Sequence, residues 1–137
     1  MKIFHGTADY SLEGFLKSKP KKYKRTYVPD KRSCFSCSTD FNEAAKFALR
    51  KTPANLSKTG IVLEFENLDL EPYKDFIFCQ DHSSFIDEKE IVIFNVNKIK
   101  LIAVYRFKRK DSSTDSLMRK MGYLTEDWEK QEIKSIC

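Results

Sequence analysis

Residues 90–107, Glu90-Ile91-Val92-Ile93-Phe94-Asn95-Val96-Asn97-Lys98-Ile99-Lys100-Leu101-Ile102-Ala103-Val104-Tyr105-Arg106-Phe107, decide the fold. β-Branched and aromatic residues dominate 90–94 and 99–107, and Asn95-Val96-Asn97 places turn formers between them, so the stretch reads as strand, turn, strand. Ile61-Val62-Leu63-Glu64-Phe65 has the same buried-strand character, and Cys34 to Ser38 alternates enough for another strand. Lys2 to His5 reads as a short first strand that ends in a turn at Gly6-Thr7. A core made mostly of sheet follows from these runs.

Helices are fewer. Ser11 to Leu16 opens a short one, and Thr39-Asp40-Phe41-Asn42-Glu43 presents capping side chains just before Ala44-Ala45-Lys46-Phe47-Ala48-Leu49. Residues 17–33, with Pro20 and Pro29, read as loop; Pro53 and Gly60 break the chain, and 66–87 mix turn formers and aromatics without a dominant period. From Ser112 onward Leu117, Met121, Leu124, Trp128 and Ile133 recur at approximate helical spacing, interrupted by Gly122. That pattern suits a docked amphipathic helix or a partner-binding tail, and docking is expected because Trp128 is costly to leave in water. The expected fold class is α+β, with residues 1–108 as the one domain and 109–137 as a helical C-terminal extension.

The 137 residues, 41% of them apolar, suffice for one core and not two. No run approaches the roughly 18 apolar residues of a membrane-spanning helix, and Met1-Lys2-Ile3-Phe4-His5 opens no leader, so a soluble cytoplasmic chain with no membrane partner is expected. Of the four cysteines, Cys34 and Cys37 form a lone CxxC with no second cysteine or histidine pair at metal-site distance. An ordinary strand is the expectation there, and no metal.

The net charge is +5, and Lys17, Lys19, Lys21, Lys22, Lys24, Arg25, Lys31 and Arg32 crowd one short segment. Such a run attracts phosphates on a nucleic acid, a dinucleotide or an anionic surface, or it is simply a solvated loop face.

Three further pieces carry potential chemistry: Phe4-His5-Gly6-Thr7 after the first strand, Ser38-Thr39-Asp40 at a strand-to-helix junction, and Glu88-Lys89-Glu90 entering a buried strand. Taken singly, His5 reads as a hydrogen-bonded histidine, Ser38-Thr39-Asp40 as an N-cap, and the two glutamates as charges on an exposed strand face. Taken together and in this order, they resemble the ADP-ribosyltransferase superfamily over roughly residues 3–105. His5-Gly6-Thr7 is similar to the branch built on His, Tyr and Glu. Ser38-Thr39 and Glu88-Lys89-Glu90 are similar to the branch built on Arg, Ser and a Glu-x-Glu pair, and the middle triad place falls to Phe35 or Ser38.

The resemblance implies a split antiparallel sheet with an NAD+ site, flanked by short helices. It implies transfer of ADP-ribose from NAD+ to a macromolecular acceptor, protein or nucleic acid, with nicotinamide released. In that reading Glu90 stabilises the developing positive charge on the nicotinamide ribose, as a fixed carboxylate does in glycoside hydrolysis. Ser38 supports Glu90, Glu88 orients or deprotonates the acceptor, His5 holds the other ribose, Gly6 offers backbone groups to the carboxamide, and Thr7 belongs to the same NAD+-binding motif. Thr39 belongs to the same strand motif, and Arg25 is the expected pyrophosphate contact because guanidinium binds phosphate in bidentate fashion. The segment Phe76–Asp87, with His82 and Phe85, is the expected acceptor loop. Transfer to water, and a basic nucleic-acid-binding module without catalysis, are the alternative outcomes.

Overall fold

The computed structural model describes residues 2–25, 28, 32–51, 60–79, 90–107 and 128–133. In chain order the elements are β1 (Lys2–Ala8), α1 (Leu12–Lys17), β2 (Tyr23–Lys24), β3 (Ser33–Ser38), α2 (Phe41–Lys51), β4 (Gly60–Asn67), β5 (Phe76–Cys79), β6 (Glu90–Ile93), β7 (Ile99–Phe107) and β8 (Trp128–Glu132). The strands form one eight-stranded sheet in the order β5-β6-β3-β1-β4-β7-β8, with β2 paired to β3. All of these strand pairings are antiparallel, so the fold is mixed α+β.

Alternation along the strands sorts the core between the two faces. Ile3, Phe35, Cys37, Ile61, Leu63, Phe65, Ile91 and Ile93 pack on one face, where Leu12 and Phe15 of α1 meet them. Each such aliphatic side chain, fully buried, contributes about 1.5–3 kcal/mol. On the other face Phe4 and Val62 pack against Ala44, Ala45 and Ala48 of α2. That helix starts where capping chemistry places it: Asp40 Oδ1 accepts from the Asn42 amide at 2.8 Å, and the Ala44 amide donates to the Asp40 carbonyl at 3.3 Å.

Gly6 explains why α2 lies so close. A Cβ at this position would stand 1.8 Å from the Ala44 carbonyl oxygen and 2.7 Å from the Ala48 amide nitrogen. Gly6-Thr7, expected as a turn, therefore sits inside β1, facing Val62 and Ile61 of β4. The glycine is used for close approach to a helix rather than for a bend.

Three other expectations change. The basic segment is not all loop, because α1 runs to Lys17 and Tyr23–Lys24 forms β2 against Cys34 and Ser33. The stretch after residue 66 contains β5, which pairs with β6 from Phe76↔Ile93 to Cys79↔Glu90. The C-terminal helix is corrected where the chain is described. Trp128–Glu132 is strand β8, paired with β7 from Ala103↔Glu132 to Phe107↔Trp128. An open β7 edge offers unpaired backbone groups that a strand satisfies and a docked helix does not, and the spacing of Trp128 from Ile133 does not outweigh this. Trp128 still docks, edge-to-face on Phe41 at 5.7 Å between centroids. Leu117, Met121, Leu124 and the boundary near residue 108 lie outside the described residues, as do His82, Phe85 and Glu88.

Two buried carboxylates tie strands together. Glu64, 1% exposed, accepts from Tyr105 Oη at 2.7 Å on the α2 face. Asp75, also 1% exposed, accepts from Lys98 Nζ at 2.7 Å, Asn95 Nδ2 at 3.2 Å and the Glu71 amide at 2.8 Å. The Lys98 ammonium, and after it the Glu71 amide, hold the Asp75 carboxyl down to about 2.

Candidate active site at the seam of the sheet

β1 meets β4 residue for residue from Lys2↔Glu66 to Ala8↔Gly60, yet among the described residues it meets β3 at one pair, Phe4↔Ser38. Beyond that pair the two strands diverge. The Ser36 carbonyl, which a continuous ladder would give an amide, instead accepts from His5 Nδ1 at 2.8 Å. A carbonyl can only accept, so Nδ1 carries the ring proton. His5 is half-buried, and its ring lies 4.5 Å from Phe35 and 5.6 Å from Phe15. These contacts hold the imidazole at the floor of the opening.

A cleft of about 500 Å³ occupies the divergence, within the range of small-molecule sites. His5, Thr7, Phe35 and Ser36 line it from the sheet, Tyr10, Ser11, Gly14 and Phe15 from the α1 side, and Lys19, Lys21, Tyr23 and Arg25 from the basic segment. Thr7 Oγ1 donates to Ser11 Oγ at 3.4 Å, joining the end of β1 to the entry of α1.

Glu90 is not among the residues that line the cleft, and its link to them is Ser36. It opens β6 directly opposite Ser38, and Ser36 is its diagonal neighbour on the same face of the sheet. Ser36 Oγ donates to Glu90 Oε2 at 2.5 Å. One residue thus presents its carbonyl to His5 and its hydroxyl to Glu90. The backbone oxygen and side chain of a strand residue point in different directions, which lets Ser36 serve both partners.

Ser38 has a different task in this structure: its hydroxyl accepts from the Asp40 amide at 3.0 Å, in the turn that leads into α2. Thr39 belongs to that same turn, at the α2 end of β3. Gly6 packs on α2, while Thr7 and Arg25 line the cleft with His5. Sequence reasoning passed over Ser36, although a period of two from Ser38 toward a glutamate on the neighbouring strand was the signal for it.

Two of the four cysteines lie in β3. Cys34 and Cys37 are buried. Burial pushes the Cys34 thiol up, opposed by the Arg25 guanidinium and reinforced by Glu90; burial, then Glu90 and Cys34, push Cys37 well up. Both remain protonated at neutral pH, as an ordinary strand requires. Among the described residues no three His, Cys, Asp or Glu side chains gather as a metal would need.

The basic segment divides. Lys17 pairs with Glu13, Lys19 Nζ donates to the Ile99 carbonyl at 2.8 Å, and Lys22 Nζ donates to the Phe94 carbonyl at 3.1 Å. Arg32 donates to the Tyr73 and Lys74 carbonyls at 2.7 and 2.8 Å and stacks 3.8 Å from the Phe94 ring centroid. All the described cations of the segment are exposed, and Arg25 lies against the Cys34 thiol.

Compared with family models, curated proteins and solved structures, the chain matches none.

Proposed function

We propose that this protein is an ADP-ribosyltransferase that consumes NAD+ and passes ADP-ribose to a macromolecular acceptor. The observation that carries the reading is the Ser36 bridge, which joins a half-buried histidine at the floor of the cleft to an oriented glutamate at the start of β6. A sheet split at this seam, with basic residues on its rim, supports the resemblance seen in the sequence.

In the reaction the bond between the ribose anomeric carbon and the nicotinamide nitrogen breaks. Its electron pair returns to the ring, which leaves neutral. The ribose gains oxocarbenium character, and the Glu90 carboxylate, which stands one hydrogen bond behind the cleft-lining Ser36, stabilises that charge once it turns toward the anomeric carbon. The acceptor's lone pair forms the new bond to the anomeric carbon, and its proton passes to solvent water. His5 contributes a fixed ring for contact with the other ribose, and Arg25 supplies a cation to the pyrophosphate.

Nicotinamide release from NAD+ by wild type and Glu90→Gln, with and without cell lysate, tests this. Release that needs both Glu90 and lysate is the expected result. Release without lysate makes the protein a hydrolase, and no release together with no thermal shift by NAD+ rejects the reading.

A further inference from the structure

We infer that the mouth of this cleft binds single-stranded nucleic acid, and that the bound strand is the acceptor; its role as acceptor rests on the transferase reading, its binding does not. The argument begins with two side chains that a folded core does not explain. Tyr10 is 83% exposed and Tyr23 is 60% exposed, and both line the cleft. Phe35, which lines the same cleft from the sheet, is 5% exposed. The cleft thus has an apolar floor already packed by protein and two aromatic side chains at its mouth left in water. Exposed aromatic side chains beside a binding cleft are what unpaired bases stack on.

Charge selects the same ligand. Lys19, Lys21 and Arg25 line the cleft, Lys24 lies next to Arg25 on the exposed β2 segment, and no described lining residue is a carboxylate. Lys19 is exposed but gives a hydrogen bond to the Ile99 carbonyl, and Lys21, Lys24 and Arg25 are exposed beside it, Arg25 reaching also to the Cys34 thiol. A polyanion with planar, separable faces satisfies both features. An acidic peptide satisfies the charge but offers the tyrosines nothing flat, and a duplex keeps its base faces stacked on each other.

The test measures binding of fluorescein-labelled 12-nucleotide strands of mixed sequence, as DNA and as RNA, by anisotropy on the full chain, beside the same sequences as duplexes and a poly-glutamate competitor. Single strands are expected to bind more tightly than duplexes, and Tyr10→Ala and Tyr23→Ala to weaken binding about tenfold each. Replacing Lys21, Lys24 and Arg25 by Gln is expected to reduce the slope of log affinity against log salt by about 2, from three lost phosphate contacts at ~0.7 each. The DNA and RNA arms identify which strand is preferred. Duplex binding as tight as single-strand binding with no tyrosine dependence overturns the inference, and so does more effective competition by poly-glutamate than by unlabelled strand.

Radiolabelled NAD+ supplied with the strand then tests the acceptor role. Label on the strand supports it; label that passes only to lysate protein overturns it. NAD+ cleavage without strand binding sinks this inference and leaves the transferase standing. Tyrosine-dependent strand binding with neither cleavage nor an NAD+ thermal shift does the reverse.

Discussion

The two halves of the sheet are built on different terms. In β1-β4-β7-β8 the ladders run nearly unbroken: Lys2↔Glu66 to Ala8↔Gly60, Asn67↔Ile99 to Ile61↔Arg106 with one irregularity between Glu64 and Phe65, and Ala103↔Glu132 to Phe107↔Trp128. The half made of β3, β6 and β5 has its own complete ladders but is attached to the first through Phe4↔Ser38. Where strands pair throughout, backbone groups satisfy one another and no ligand can enter. Where they part, a side chain must take over the backbone's hydrogen bond, and His5 does so at Ser36. The closed half is continuous; the seam opens into the cleft.

Variants can break this contrast or sharpen it. The largest effect belongs to the seam: Glu90→Gln is expected to lower nicotinamide release by about 10²–10³-fold, the range for losing one preorganised electrostatic partner, with little change in melting temperature. Equal activity in the variant would place the chemistry elsewhere. Next comes the closed half. Gly6→Ala forces a Cβ into the α2 backbone and should cost about 3 kcal/mol, read by urea titration, because neither the Ala44 carbonyl nor the Ala48 amide can swing aside as a flexible side chain would. An unchanged midpoint would mean that α2 is free to lift from β1.

Two serines separated by one residue sharpen the contrast further. Ser36→Ala is expected to cut activity about tenfold, since the Glu90 carboxylate loses its orienting hydrogen bond, worth about 1.4 kcal/mol. Ser38→Ala should instead cost about 1 kcal/mol of stability through the turn into α2, by the measure of a lost cap, with the smaller effect on turnover. The opposite outcome, measured by kinetics and thermal melting side by side, would restore Ser38 as the residue supporting Glu90.

The smallest effect lies at the far edge. Asp75 has its folded value depressed from 3.8 to about 2, so its pairing with Lys98 stabilises the fold fully above about pH 4 and is lost as pH falls through 2. Melting temperature followed from pH 5 to 2 should decline in wild type and decline less steeply in Asp75→Asn.

Much of the sheet was legible because strand identity is a local property. Ile61–Phe65, Glu90–Phe94 and Ile99–Phe107 are rich in the side chains that suit a pleated, half-buried surface, and all three are strands, ending one residue sooner in the case of β6. The strand-to-helix step at Ser38-Thr39-Asp40 was equally plain, since a cap is written in adjacent residues. Gly6 misled because a glycine demanded by an approaching helix and a glycine demanded by a turn look identical without the helix. Trp128 misled because a spacing compatible with a helix says nothing about an open strand edge waiting on β7.

The candidate site was legible in part for the same reason. His5, Thr7 and Arg25 were picked out, and the cleft gathers them; Glu90 was picked out, and Ser36 links it to that cleft. Tyr10 and Tyr23 carry no local signal that separates a stacking surface from a loop aromatic, and burial alone distinguishes them.

By itself the sequence determined that most of β1, β3, β4, β6 and β7 extends, that a capped helix follows β3, and where positive charge gathers, since propensity, capping and charge act over a few bonds. The tertiary structure alone decided that β1 and β3 part after one pair, that Ser36 rather than Ser38 reaches Glu90, and that Lys19, Lys22 and Arg32 are drawn onto backbone carbonyls. Those outcomes depend on the register and splay of strands distant in the chain, and a one-residue change in register reverses which side chains share a face.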